Sequence, residues 1–267
     1  ATHSVFALMP DQEHERFIEK LHALKEAVRE AGLDWSLASH QGESDARRQV
    51  LEQVGRRPAA LILSGFIPDA ALRARLDEQR IPAVLFDTHA EGWDYVALDR
   101  ERGSSEAVGR LLDRGKRRVA LLGASAGSER GRGWLAAHAA RSLPADESLI
   151  LDRPYPRDLH AWGLSQGREL ALRGDIDGIY AVNDAAALGV LRALHEAGRE
   201  EPRDVAVIGF DGLMAAAGSL PTLSTVEQPV EAMAKSCLAL LARRRREPGA
   251  PSLGEVLPTV LRVRESG

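Results

Sequence analysis

The sequence predicts an α/β fold built on two parallel sheets, each covered by helices on both faces. Three observations carry this. Apolar runs of strand length alternate with amphipathic helical stretches along nearly the whole chain, the pattern of βαβ units. The runs are short and continuously apolar, such as Ala59–Leu63 and Val119–Leu122, as strands buried on both faces must be. There are about nine of them, many for one doubly wound sheet and natural for two sheets of about five or six strands.

The first strand begins almost at once, at Ser4–Met9, and the first helix follows Pro10-Asp11. Phe17, Leu21, Leu24 and Val28 share one helical face, with Asp11 expected as the N-cap and Gly32 as the stop. Strands are then expected at Trp35–Ala38, Ala60–Leu63, Ala83–Phe86, Val96–Leu98, Val119–Leu122, Leu149–Leu151, Ile179–Val182 and Val205–Phe210. Helices are expected near 44–54, 69–79, 101–114, 129–141, 160–172 and 184–197. Thr222–Glu227 is strand-like and ends at Gln228-Pro229; a helix then runs to about Arg246. A loop at Glu247–Gly254, rich in Pro and Gly, leads to a last strand at Thr259–Val263. The domain boundary is expected near Asp99, which assigns residues 1–98 and 229–250 to one subdomain, and 99–228 and 251–267 to the other.

Composition narrows the function classes. The 267 residues are 44% hydrophobic and 28% charged, an ordinary globular balance, and no run approaches the length of a membrane span. The formal charge of −4 argues against nucleic-acid binding by bulk charge. The single cysteine, Cys237, cannot close an internal disulfide. No basic stretch followed by an apolar core marks an export signal, so a cytoplasmic location is expected. The eight histidines show no metal-ligand spacing, and neither G-x-G-x-x-G nor a P-loop is present; no cofactor or metal is expected.

Two strand ends carry polar chemistry. Tyr180-Ala181-Val182 runs into Asn183-Asp184 and then an Ala/Leu-rich helix; Val205–Phe210 runs into Asp211-Gly212. The carboxyl ends of strands form the ligand crevice of an open α/β sheet. Asn183 offers a donor and an acceptor, and a carboxylate such as Asp211 accepts from adjacent hydroxyls. The plain alternative is that these residues only cap a helix or a turn. Gly123-Ala124-Ser125-Ala126-Gly127 has the spacing of a hydrolase nucleophile elbow, but no histidine follows Asp211 to complete a triad, and no enzyme is expected. Arg130 and Arg132 open a helix where they could meet ligand hydroxyls or an anion. Arg243–Arg246 ends a helix and is expected to be a solvated terminus.

Longer strings carry a resemblance. Val182-Asn183-Asp184 with the following Leu188–Leu194, Pro202–Asp211, Pro221–Pro229, Leu111–Gly123 and the final Leu257–Ser266 resemble, in order, segments of the lactose-repressor/galactose-repressor family. The resemblance implies a periplasmic-binding-protein-like type I fold: two Rossmann-like subdomains, three crossover segments and a small molecule bound in the cleft. By position, Asp211 would hold ligand hydroxyls, Arg132 would reach the ligand and Asn183 would line the cleft. Gln228 would sit at a crossover, Asp87 would face the cleft from the first subdomain, and Trp162 in the 158–162 loop would be an aromatic platform.

The chain departs from the family at His14-Glu15-Arg16-Phe17, where Asn-Pro-Phe-Phe is usual; this puts His14 among the candidate contacts and places charge near the first strand–helix turn. Leu98-Asp99-Arg100 and Lys116 are further departures. The implied partners are a small-molecule effector (a sugar, sugar acid or sugar phosphate), operator DNA through a helix-turn-helix head expected to precede Ala1, and a second copy in a homodimer, with no membrane partner. The alternative is a sugar-binding component of a transport system, which shares the fold.

Overall fold

The computed structural model describes residues 3–12, 14–154 and 156–267. In chain order the elements are β1 (Ser4–Pro10), α1 (Glu15–Glu30), β2 (Asp34–His40), α2 (Glu43–Arg56), β3 (Ala60–Leu63), α3 (Ala70–Glu78), β4 (Ala83–Phe86), β5 (Asp94–Leu98) and α4 (Arg100–Asp113). Then come β6 (Val119–Leu122), α5 (Glu129–Ala139), β7 (Ile150–Leu151), α6 (Leu159–Ala171), β8 (Gly178–Ala181), α7 (Asp184–Glu196) and β9 (Ala206–Asp211). The chain finishes with α8 (Met214–Gly218), β10 (Ser224–Glu227), α9 (Val230–Arg246), β11 (Gly254–Leu257) and β12 (Val260–Arg262).

These elements form two compact units. The first runs to Leu98 and includes Pro229–Leu257; the second comprises Asp99–Gln228 and Pro258–Gly267. The chain therefore passes between units three times. The first unit's sheet has the order β11-β5-β4-β3-β1-β2, and every adjacent pair in it is parallel. The second has the order β12-β10-β9-β8-β6-β7, parallel except where β12 runs against β10. In each sheet the direction of winding reverses beside the first strand of the unit, β1 or β6, the switch point where α/β sheets bind ligands.

The continuous apolarity of the strands has the expected cause. In β1, Val5, Ala7 and Met9 pack into a layer with α1 and α9 residues such as Leu24 and Met233. Phe6 and Leu8 point the other way, into a layer with Val50 of α2 and Leu72 of α3. The second unit buries Val119–Leu122 and Ile179–Ala181 completely, with the Trp134 indole of α5 donating to the Val119 carbonyl at 3.0 Å.

Several expectations change. Asp11 does not cap α1; His14 does, its Nδ1 accepting from Phe17 N at 3.2 Å. Residues 251–257, expected with the second subdomain, lie in the first, because Gly254–Leu257 adds a parallel edge strand to β5. That strand is locked by Asp94, which accepts from Arg244 Nε at 2.7 Å and from Leu253 N at 2.8 Å. Arg244 and Arg243, expected to be solvated, are instead largely covered; Arg244 also donates to the Pro248 and Ala250 carbonyls. Among the described residues no helix is long and apolar enough to cross a membrane.

Candidate functional site

In the second unit, polar side chains gather at the carboxyl ends of β8, β9 and β10. Asp211 closes β9 and is 8% exposed; its φ of 128° lies in a region that favours glycine. Gln228, the residue after β10, is buried and donates Nε2 to Asp211 Oδ1 at 2.6 Å. Its backbone N–H also donates to the Asp211 carbonyl, at 3.2 Å. Gln228 Oε1 is buried with no hydrogen-bond partner, an unfilled acceptor at the end of the sheet.

Beneath this pair lies a second carboxylate, Asp184, fully buried at the start of α7. Thr225 Oγ1 donates to its Oδ1, and Leu213 N donates to its Oδ2 at 2.7 Å. Gly209 makes room for it: a Cβ there would fall 2.2 Å from Asp184 Oδ1. Burial, and then the neighbouring Asp211 carboxylate, push the Asp184 carboxyl up to about 7. Asp184 thus pins the β9–α8 turn from below, while Asp211 and Gln228 form its upper polar layer.

Arg130, on the first turn of α5, stacks its guanidinium 4.5 Å from the centre of the Phe210 ring. It also reaches the Tyr180 hydroxyl, which shares a 2.6 Å hydrogen bond with Ser104. Burial pushes Tyr180 up to about 12, so its hydroxyl stays neutral. Arg130 Nε is buried without a partner. Asn183 caps α7, its Oδ1 accepting from Ala186 N at 2.8 Å, which leaves its Nδ2 donor for another partner. Trp162 is half-buried on the first turn of α6 and lies over Gly123, at the tip of β6. That glycine has φ 93°, and a Cβ on it would meet the indole at 3.2 Å.

In the first unit, the carboxyl edge carries His14 after β1 and Asp87 after β4. Asp87 has a left-handed φ of 58° and accepts from Lys20 Nζ at 2.7 Å; Lys20 is buried on α1. Burial first, and then the Lys20 charge, hold the His14 imidazole below its ordinary pKa, while Asp87 pulls the other way. His14, Lys20 and Asp87 therefore form one electrostatic neighbourhood. Among the described residues, no group of His, Cys, Asp and Glu is arranged to hold a metal ion.

Residues 108–267 match the periplasmic binding protein-like domain. The chain is 32% identical over 250 residues to the HTH-type transcriptional regulator CelR of Thermobifida fusca, covering 90% of this chain and 73% of that protein. The solved transcriptional regulator CelR–cellobiose complex superimposes with a TM-score of 0.85 at 29% identity, over 100% of this chain and 85% of that one. The transcription regulator GntR from Chromobacterium violaceum gives 0.84 at 25% identity, over 98% of each chain. The chain belongs to the lactose-repressor/galactose-repressor family of transcriptional regulators. Its fold is the periplasmic-binding-protein-like fold of lactose-repressor-type cores, and its named relatives are regulators, which favours that reading over the transport component.

Of the site residues that the family resemblance suggested, the structure brings Asp211 and Gln228 into direct contact and puts Asn183 at the neighbouring strand tip. Trp162 sits on a helix, since Asp158 caps α6 by accepting from Ala161 N at 2.9 Å; the expected loop is a first turn. Arg132 is exposed and donates Nε to Glu101 Oε2 at 2.7 Å and Nη1 to the Gly127 carbonyl. Arg130, not Arg132, stacks on Phe210 at the end of β9. Helical spacing holds the signal: residues two apart face different sides of a helix, so only one of these arginines can turn toward the β9 tip. The Gly123–Gly127 turn leads into the cap of α5, where Ser128 Oγ donates to the Ser125 carbonyl and accepts from Gly131 N.

Proposed function

We propose that this chain senses a small carbohydrate or carbohydrate derivative, and that binding shifts it between two states of different operator affinity. The observation that carries this reading is the buried Asp211–Gln228 pair with its unpartnered Gln228 Oε1, at the carboxyl edge of a parallel sheet. A carboxylate and an amide oxygen side by side accept from hydroxyls, the donors that sugars carry in adjacent pairs. Asn183 and Arg130 add donors, and the face of Trp162 suits the apolar C–H side of a pyranose. At the first unit's own carboxyl edge, His14 and Asp87 are the candidate effector contacts. The likeness to a regulator solved with cellobiose supports the same ligand class.

Allostery on this reading requires the effector to bind one state more tightly than the other. Operator DNA and a second copy of the chain are the macromolecular partners, the two-fold dimer matching a palindromic operator. The test is a thermal-shift screen with mono- and disaccharides, followed by calorimetry. A ligand at 100 times its Kd adds about 2.7 kcal/mol of apparent stability. Failure of every carbohydrate and carbohydrate derivative to raise Tm at millimolar concentration would sink the reading.

A further inference from the structure

The first unit's carboxyl edge carries a buried cation that its own structure uses only in part. Arg16 and Lys20 lie one turn apart on the same face of α1, 6% and 7% exposed. Lys20 is committed to Asp87, immediately after β4. Side chains on a helix lean toward its N-terminus, so Arg16, one turn earlier, is carried beyond Lys20 toward the edge of the sheet. Among the described residues its only ion partner is Glu19, which is half-exposed and bonded through Nη1. Arg16 Nε is buried with no hydrogen-bond partner.

A guanidinium has five N–H donors in a planar fork, and a buried one is costly unless that fork is filled. With Glu19 on Nη1, the donor left unfilled is the buried Nε–H, which suits a planar or tetrahedral oxyanion. The residue also stands in the first turn of a 16-residue helix, whose N–H groups and dipole favour negative charge. At the cap residue His14, burial and then the Lys20 charge disfavour protonation, against the pull of Asp87.

We propose that the effector is an acidic carbohydrate whose carboxylate or phosphate is taken by Arg16 at the start of α1. This rests on the reading above that the first unit's carboxyl edge meets the effector. It also separates this chain by ligand charge from the regulator solved with cellobiose, a neutral sugar.

Calorimetry on the whole chain tests it with matched probes: cellobiose against cellobionate, and D-glucose against D-gluconate and D-glucose 6-phosphate. At least one acidic probe should bind tenfold or more tighter than its neutral parent, and the carboxylate and phosphate arms identify the anion. Arg16→Gln should erase that preference while leaving neutral-sugar affinity within twofold, and Arg16→Lys should restore part of it. Circular dichroism establishes that each variant is folded; should Arg16→Gln not fold, the parent's acid-to-neutral ratio and Arg16→Lys decide. Equal or tighter binding of the neutral parents overturns the acidic effector and leaves the sugar-sensing reading standing. Equal loss for both classes in Arg16→Gln also overturns it. Absence of binding in every arm overturns the acidic effector, while the sugar-sensing reading falls only with the full carbohydrate screen.

Discussion

Gln228 holds Asp211 twice: its side-chain Nε2 donates to the carboxylate at 2.6 Å, and its backbone N–H donates to the carbonyl at 3.2 Å. Asp211 ends β9, Gln228 directly follows the adjacent parallel strand β10, and Gln228 is also the last residue of the second unit before the chain passes to the first. A ligand group on Asp211 therefore acts on a residue one step from a crossing of the chain.

The backbone of Asp211 adds a cost that its side chain must justify. A non-glycine residue at φ 128° is strained, by about 1–3 kcal/mol. Asp211→Gly should be more stable than Asp211→Ala by about that amount, since both lose the Gln228 bond and only one keeps the strain. Both should weaken effector binding at least tenfold, because an acceptor of ligand hydroxyls is gone. Urea unfolding and calorimetry on the two variants check this. Parental affinity in either would remove Asp211 from the site.

Asp184 gives the protein a pH signature. Its carboxyl rises from an ordinary 3.8 to about 7 in the folded protein, through burial and the Asp211 charge. Folding therefore takes up a proton between those values, and the folded state binds more protons than the unfolded one. The associated stability is present on the acid side and is lost as pH rises through about 7. Asp184→Asn keeps the shape and lets an amide pair with Thr225, so it should lose less stability than the parent between about pH 5 and pH 8. Parallel pH dependence in the melting curves of parent and variant would refute this.

The late edge strand hangs on one ion pair. Asp94, with its side chain 1% exposed, holds both Arg244 and the Leu253 N–H at the entry to β11. Arg244→Met leaves a buried carboxylate short of its main partner and should cost about 3 kcal/mol. Hydrogen exchange should show β11 opening before the other strands of its sheet. A loss below about 0.5 kcal/mol in urea unfolding, the range of ordinary surface substitutions, would show that the pair does not anchor the strand.

Much of this architecture was legible because burial on two faces leaves a plain mark: Val119–Leu122 can hardly be anything but a central strand. The Gly254–Leu257 strand was not legible, because at the sheet edge it exposes alternate residues, Gly254 and Val256, and with Glu255 between them it lacks a continuous apolar run. What fixes it is Asp94, a contact between residues 150 positions distant that no local pattern encodes. The site divides in the same way. Asp211 and Asn183 stand at the ends of apolar strands and could be named from sequence. The partners that give them meaning, Gln228 Nε2 and the Phe210–Arg130 stack, arise only when β9, β10 and α5 come together.

The two arginines of α5 separate a position in sequence from a position in space. Arg130 lies on the Phe210 face next to Tyr180, with Nε buried and unpartnered, so a ligand oxygen there would gain a charge-assisted bond of about 1.5–3 kcal/mol. Arg132 is exposed and already paired with Glu101, and such pairs contribute about 0–1 kcal/mol. Arg130→Gln should therefore lower effector affinity at least tenfold, with a small loss of stability from the broken cation–π stack. Arg132→Gln should leave affinity within twofold and alter only the Glu101 contact. Calorimetry with the same sugar on both variants decides. If Arg132→Gln proves the more damaging, the guanidinium that meets the ligand is the one facing solvent in this structure, and α5 must turn its first helical turn inward when the effector binds.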